Sequence, residues 1–410
     1  MSALSYRTLI AAALGWALDA FDVMLYAVVI TAVMRDLGMS KGMAGFLNTL
    51  TLLASGIGGV LFGSIADKVG RTRALMLSIL TYSVCSFLSG LAQSIVMLAI
   101  IRFVLGLGMG GEWNTGATLV AETWPEHLRA KALSIVQSSW ALGYAAAALV
   151  AGLMLRYTSN WRYVFFVGVA PALVTLWIRK DVPESEMWKQ RVVTKTSGDF
   201  REMFRGALAA RTFTLLLMNF FGMFGWWGMF TWLPAYLSLP VDKGGRGLDL
   251  PLLHASWLPL STTTILLIVL NLFGMFPGYA TFGWMADRLG RKRAFIFYTG
   301  MAALIVPVYA AARNPWAIMV LGAVLAFFGT GFFSGSGIIG SELFPTQLRA
   351  RALGVTYNGA RALSSVAPFV IGTVGERRGL GGAFLLCGLG FALSAITALF
   401  IPETRGRQLD

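Results

Sequence analysis

Apolar residues in this chain run in long blocks rather than at the spacing of half-buried strands or helices. About twelve blocks reach roughly 20 residues, the length a helix needs to cross a hydrocarbon layer roughly 30 Å thick. They cover 8–33, 43–66, 74–93, 95–121, 131–156, 161–179, 212–238, 255–286, 293–312, 316–341, 351–374 and 380–401. In lipid each backbone amide must be bonded within its own segment, so blocks of this kind predict helices. The eighth is the longest, and Pro259 and Pro277 within it predict a kink or a part outside the bilayer. The longest polar stretch parts six blocks from six. This predicts an all-α integral membrane protein with an N-terminal six-helix bundle over 1–180, a linker over 181–211 and a C-terminal six-helix bundle with a short tail over 212–410. The linker mixes Lys189, Arg191, Lys195, Arg201 and Arg205 with Trp188, Phe200 and Phe204. That pattern suits a tether with short interfacial helices; a regulatory partner site is the alternative.

The two sets of six are related. Residues 63–74 read GSIADKVGRTRA and residues 283–294 read GWMADRLGRKRA, an offset of 220. Glu122–Leu133 (ETWPEHLRAKAL) and Glu342–Leu353 (ELFPTQLRARAL) keep the same offset. Two unlike phrases at one offset indicate duplication, and each half is far longer than a solenoid repeat. Pro183-Glu184-Ser185 and Pro402-Glu403-Thr404 close the two halves at an offset of 219.

Composition agrees with lipid as the solvent. Hydrophobic residues make up 57% of the 410 and charged residues 13%, against about 25% charged in a soluble domain; mean hydropathy is +0.70. The net charge of +14 raises nucleic acid as a partner, but its distribution argues against one. With both termini inside, inward segments carry 22 of the 33 Lys and Arg, outward segments nine, and the spans only Arg102 and Arg361. This is the positive-inside pattern, and it predicts a bacterial inner (plasma) membrane protein with cytoplasmic termini, linker and repeated loops. Only Arg7 precedes the first span, which holds two aspartates, so a cleavable leader is not expected. Cys85, Cys387, His127 and His254 are too few and too scattered for a disulfide framework or a metal site.

The repeated Gly63, Asp67, Lys68, Gly70, Arg71, Arg73 and Gly283, Asp287, Arg288, Gly290, Arg291, Arg293 resemble the signature loop of the major facilitator superfamily. Arg102 followed by Gly106, Gly108, Gly110 and Gly111 resembles its fourth-helix pattern. The resemblance covers nearly the whole chain and implies a twelve-helix fold of two pseudo-symmetric six-helix bundles with alternating access to a central cavity. Carboxylate and guanidinium groups in the loops can latch one bundle to the other and bias that equilibrium. Glu122, Arg129, Glu342 and Arg349 occur in both halves and read as part of the same latch. Gly15-Trp16-Ala17-Leu18-Asp19-Ala20-Phe21-Asp22, Gly110-Gly111-Glu112-Trp113 and the stretch after Ala121 resemble the sialate/lactate (metabolite):proton symporter branch. That branch implies inward symport of an organic carboxylate with a proton. Its fungal lactate carriers have Gln-Asp where this chain has Trp226-Trp227, which departs from lactate specificity but not from the carboxylate class.

Charges within spans are costly and mark function. Asp19 and Asp22, three apart, share a helix face and are not both expected to stay ionised in a low dielectric; Trp16 and Tyr26 flank them and can line the same cavity. The resemblance to sugar:proton symporters implies Arg102 as the partner of Asp22 or Asp19. Glu112, ten residues from Arg102 or roughly 15 Å along the helix, is either a second proton carrier or a partner for another helix. Together Asp19, Asp22, Arg102 and Glu112 form the expected proton-coupling group. Arg361 has Ala141 opposite it in the first half, so the duplication did not require it. Its planar fork suits a carboxylate, either of a substrate or of a protein acid such as Glu112. Asn358, Tyr357, Trp226, Trp227, Asn219, Asn114 and Gln137 complete the expected substrate site. The expectation is a non-enzymatic, monomeric secondary transporter with a small organic carboxylate (lactate-, sialate- or aromatic-acid-like), a proton and the lipid bilayer as partners, and with no cofactor or metal. A neutral-solute carrier such as a sugar symporter, or a drug:proton antiporter, is the alternative.

Overall fold

The computed structural model describes residues 3–158, 160–182, 184, 200–248, 260–345, 348 and 352–405. The apolar blocks are helices: α1 (Ala3–Leu37), α2 (Lys41–Val69), α3 (Arg71–Ser89), α4 (Ile95–Thr123) and α5 (Glu126–Thr158). The sixth, α6, joins Trp161–Val167 to Pro171–Asp181, and α7 is Gly206–Ser238. The eighth, α8, combines Thr262–Val269, a π segment Leu270–Met275 and Phe276–Leu289; α9 is Arg291–Ala311 and α10 is Pro315–Leu343. The last long apolar stretch, Gly354–Ala398, is 45 residues, too long for one span. It breaks at Gly379 (φ 72°) into α11 and α12, so the described residues contain twelve spans.

Caps repeat with the sequence. Ser94 accepts from the Met97 amide to start α4, and Asn314, 220 residues on, accepts from the Trp316 and Ala317 amides to start α10. The α2–α3 and α8–α9 turns fall at Gly70 (φ 108°) and Gly290 (φ 101°), a backbone region open in practice only to glycine. Gly63 and Gly283 lie instead inside helices, so the turn of the repeated phrase is made by its second glycine. The expected kink in α8 is the π segment, whose wider turn precedes Pro277 and absorbs its missing amide. Pro259 lies outside the described residues. So does most of the linker, including Trp188, Lys189, Arg191 and Lys195; its described end, Phe200–Phe204, is one 3₁₀ turn.

Within the first six helices, α2 lies along α4 and α1 along α5. Helices in lipid associate through close backbone packing at small residues. A Cβ added at Gly110 would stand 1.9 Å from the Ser55 carbonyl oxygen; one at Gly278 in α8 would stand 2.4 Å from the Phe327 oxygen of α10. The first six helices meet the last six along α1 with α7, α2 with α11 and α5 with α8.

At the end of the molecule opposite the termini, polar contacts join the halves. Lys41 Nζ donates to the Lys243 and Gly375 carbonyls (2.8 and 3.3 Å), and the Gly42 amide donates to Glu376 Oε1 (2.8 Å). Deeper, Thr49 donates to the Ser365 carbonyl (2.6 Å) and Asn48 to Thr231 Oγ1 (3.0 Å).

Candidate functional site

Where α1 and α5 of the first half face α7, α8, α10 and α11 of the second, side chains of both halves converge on a narrow central cavity. Trp16 comes from α1, Gln137 and Trp140 from α5, Met223, Trp226 and Trp227 from α7. Tyr279, Phe333, Tyr357 and Arg361 close it from α8, α10 and α11. The helical period explains the pairings: Gln137 and Trp140 are one turn apart, as are Met223 and Trp227. The π segment Gly354–Asn358 opens the helix just before Arg361 and turns Tyr357 inward, where it bonds with Gln137.

The walls are aromatic. Trp16 packs between Trp113 and Trp140, with ring centroids 4.7 and 4.8 Å away. Trp140 meets Trp226 and Trp227 edge-on at 6.0 and 5.9 Å, and Trp113 stacks on Tyr357 across the halves at 6.2 Å. Arg361 is 3% exposed and is the one charged side chain in the lining. Its guanidinium carbon lies 5.9 Å from the centre of the Trp227 ring, and its Nε and Nη2 have no acceptor among the described residues.

The acid whose charge acts on Arg361 is Asp19 of α1. The two are mutual electrostatic partners across the halves, yet both Asp19 oxygens lack a hydrogen-bond donor among the described residues. Glu112, by contrast, packs on the α1 backbone at Gly15 and has Asp19 as its charged neighbour. Arg361 therefore faces Asp19, not Glu112. Tyr82 of α3 stands among Asp19, Asp22 and Glu112, and its hydroxyl donates to the Gly15 carbonyl at 3.4 Å.

Asp19 and Asp22 diverge despite their spacing, because three residues rotate a helix by about 300°, not a full turn. Asp22 Oδ1 accepts from Ser86 at 2.9 Å, inside the first half. Arg102 feels the charge of Asp22 but touches other groups: its Nε donates to Thr51 Oγ1 at 3.1 Å, and its guanidinium lies 4.4 Å from the Tyr26 ring centre. Tyr26 is thus committed to Arg102 and to the Ala44 carbonyl (2.9 Å) rather than to the cavity.

Of the expected substrate contacts, Arg361, Tyr357, Trp226, Trp227 and Gln137 are gathered at the cavity. Asn219 is not among them: it donates to the Thr356 carbonyl at 3.3 Å and accepts from Ser336 at 2.6 Å. Asn358 is buried on α11 outside the lining, and the Asn114 side chain lies outside the described residues. Trp140, Met223, Tyr279 and Phe333 were not anticipated. Trp140 could have been, as the next residue on the Gln137 face.

Among the described residues, the charged groups of the repeated loops pair within their own half. Arg71 Nε lies 3.6 Å from Glu122 Oε1. Glu184 accepts from the Arg71 and Thr72 amides at the start of α3. In the second half Arg291 pairs with Glu342 (3.3 Å) and Asp287 (2.5 Å), and Glu403 accepts from the Arg291 amide (2.8 Å). The short loops place these charges against the ends of α4, α6, α10 and the tail after α12, all in the same half. Burial alone would raise the Glu403 carboxyl, but backbone amides of Arg405, Arg291, Thr404 and Lys292 outweigh it and hold it below the usual range. The side chains of Asp67, His127 and Arg129, and all of His254 and Arg349, lie outside the described residues.

A sequence profile described as Major Facilitator Superfamily matches residues 12–259 and 246–409. A sialic acid transporter of Escherichia coli is 31% identical, over 96% of this chain and 93% of its own length. A cis,cis-muconate transport protein of Acinetobacter baylyi is 30% identical, over 94% and 91%. The E. coli xylose transporter, solved in a partially occluded inward-open conformation, superposes with a TM-score of 0.76 at 18% identity over the full length of both chains.

Proposed function

The chain belongs to the major facilitator superfamily, as a transporter and not an enzyme, and from that premise we propose that it carries a small organic carboxylate inward together with a proton. The observation that carries the reading is Arg361: a buried fork in the central cavity with two nitrogens that have no acceptor among the described residues. A buried, unpaired cation is expensive, and a carboxylate binds a guanidinium in bidentate fashion. A neutral solute would leave that cost unmet. The two relatives named above are, by their names, carriers of carboxylates.

Asp19 supplies the coupling. While ionised it shares the field of Arg361 from α1, outside the lining itself. Protonation releases Arg361 to the incoming anion, and binding of that anion leaves the cavity without net charge. A neutral interior lowers the cost of closing the halves around it. One proton with one monocarboxylate is electroneutral, so the pH gradient drives uptake. The Lys41, Gly42 and Glu376 contacts must open to admit substrate, while each braced half moves as a body. The excess of basic residues on the termini side orients both termini to the cytoplasm of a bacterial inner membrane, with the protein acting as a monomer.

The test is uptake into proteoliposomes with an imposed pH gradient, over lactate, sialate, aromatic acids and neutral sugars. Arg361→Gln is expected to weaken carboxylate binding by about a hundredfold, the effect of removing one partner of a buried charge pair. Unchanged apparent affinity in that variant, or uptake restricted to sugars, would overturn the reading.

A further inference from the structure

The cavity holds more unmet donors than one carboxylate can satisfy. Trp16, Trp140 and Trp226 are 3%, 3% and 1% exposed, all line the space, and each indole Nε1 is buried without an acceptor among the described residues. Arg361 adds Nε and Nη2. Among the fully buried side-chain atoms of the described lining, these five donor atoms outnumber the one acceptor left without a donor, Gln137 Oε1. Buried polar groups are normally paired, because leaving one unmade costs much of its desolvation. The shortfall therefore describes the ligand: it brings acceptors.

Charge and shape narrow it further. Arg361 is the only cation in the lining and has Asp19 as a charged neighbour, so the field balances one negative charge and not two. The indoles are neutral donors, suited to a carbonyl, ring nitrogen or ether oxygen rather than to a second carboxylate. The walls are flat rings at stacking and edge distances, which favours a flat ligand slotted between them. We infer that the ligand is a small planar unsaturated or aromatic monocarboxylate that carries a neutral hydrogen-bond acceptor away from its carboxylate, read by the indole N–H groups of Trp16, Trp140 and Trp226. This rests on the carboxylate reading of Arg361 and adds what selects among carboxylates.

Equilibrium binding to the purified full-length protein tests it with four acids: benzoate, 4-acetylbenzoate, terephthalate and cyclohexanecarboxylate. The expected order has 4-acetylbenzoate about tenfold tighter than benzoate, the effect of one good hydrogen bond. Terephthalate, with its second charge, should be at least tenfold weaker than 4-acetylbenzoate, and puckered cyclohexanecarboxylate weaker than benzoate. Trp140→Phe and Trp226→Phe keep a ring but lose the donor. In at least one of them the preference for 4-acetylbenzoate over benzoate should fall about fivefold. Equal binding of benzoate and 4-acetylbenzoate, or a preference for terephthalate, overturns the inference and leaves the carboxylate reading standing. So does a preference that survives in both variants. If none of the four acids binds, this inference falls, while the carboxylate reading stands or falls on the uptake panel of lactate, sialate and neutral sugars.

Discussion

The two loop braces and the two walls of the cavity have followed opposite courses since the duplication. Arg71, Glu122 and Glu184 in one half are matched by Arg291, Glu342 and Glu403 in the other, with the same arginine, the same helix end and the same amide-bonded glutamate. The walls share almost nothing. Asp19 and Glu112 come from the first half; Arg361 comes from the second, opposite Ala141 in the repeat. Arg102 and Glu112 correspond to Gly322 and Phe332. A brace has to hold each bundle rigid, and both bundles need it equally. Under the proposed mechanism, a site for one anion and one proton gains nothing from two copies of either half-site. Symmetry here separates what moves from what binds.

That contrast can be broken at several points. The largest effects belong to the shared packing. Gly110→Val and Gly278→Val each drive a side chain into a backbone carbonyl, and each is expected to cost about 3 kcal/mol or more, read as a lowered thermal midpoint in detergent. If one is tolerated, the halves are not built alike. Next come the walls, where neighbours should differ. Asp19→Asn is expected to cut acid-driven accumulation roughly tenfold or more while counterflow persists; Asp22→Asn, still able to accept from Ser86, should change it less than about threefold. Accumulation that survives in Asp19→Asn moves the coupling elsewhere. Smaller still, Glu122→Gln and Glu342→Gln should each destabilise by about 1–2 kcal/mol and agree within about 0.5 kcal/mol; a wider gap would end the claim of matched braces. The smallest effect is that of acid. Because the Glu403 carboxyl is held below its usual range, its contribution is present above that range and lost as pH falls through its folded value. Limited proteolysis of the tail after Ile401 should therefore stay flat down to the ordinary glutamate range and rise only below it. An onset nearer neutrality would show that those amides do not hold it.

Much of this was written in the sequence, for physical reasons that also mark where legibility stops. Span lengths follow from lipid thickness, so most of the blocks could be placed closely; the eighth was drawn from 255, whereas its described helix begins at Thr262. Arg361 and the Trp226-Trp227 pair stood out because charges and tryptophan pairs are conspicuous in an apolar run. Trp140, Tyr279 and Phe333 did not, since an aromatic residue in a span is as often packing. The braces show a different limit. Composition reveals that Arg71 needs an acid, but not that a short loop returns it to Glu122 of the same half instead of crossing to the other. Asp19 and Asp22 show a third: a spacing of three points them in neighbouring but not identical directions, and it does not reveal that one meets Arg361 and the other Ser86.

The cluster of Trp16, Trp113, Trp140, Trp226 and Trp227 has a consequence for how the protein can be watched. Indole rings whose centres lie 4.7–6.0 Å apart in a fixed arrangement couple their electronic transitions. Three of those rings belong to one half and two to the other, so the coupling depends on how the halves sit against each other. The chain thus carries a built-in chromophore whose near-ultraviolet circular dichroism follows the closing of its own cavity, with no label attached.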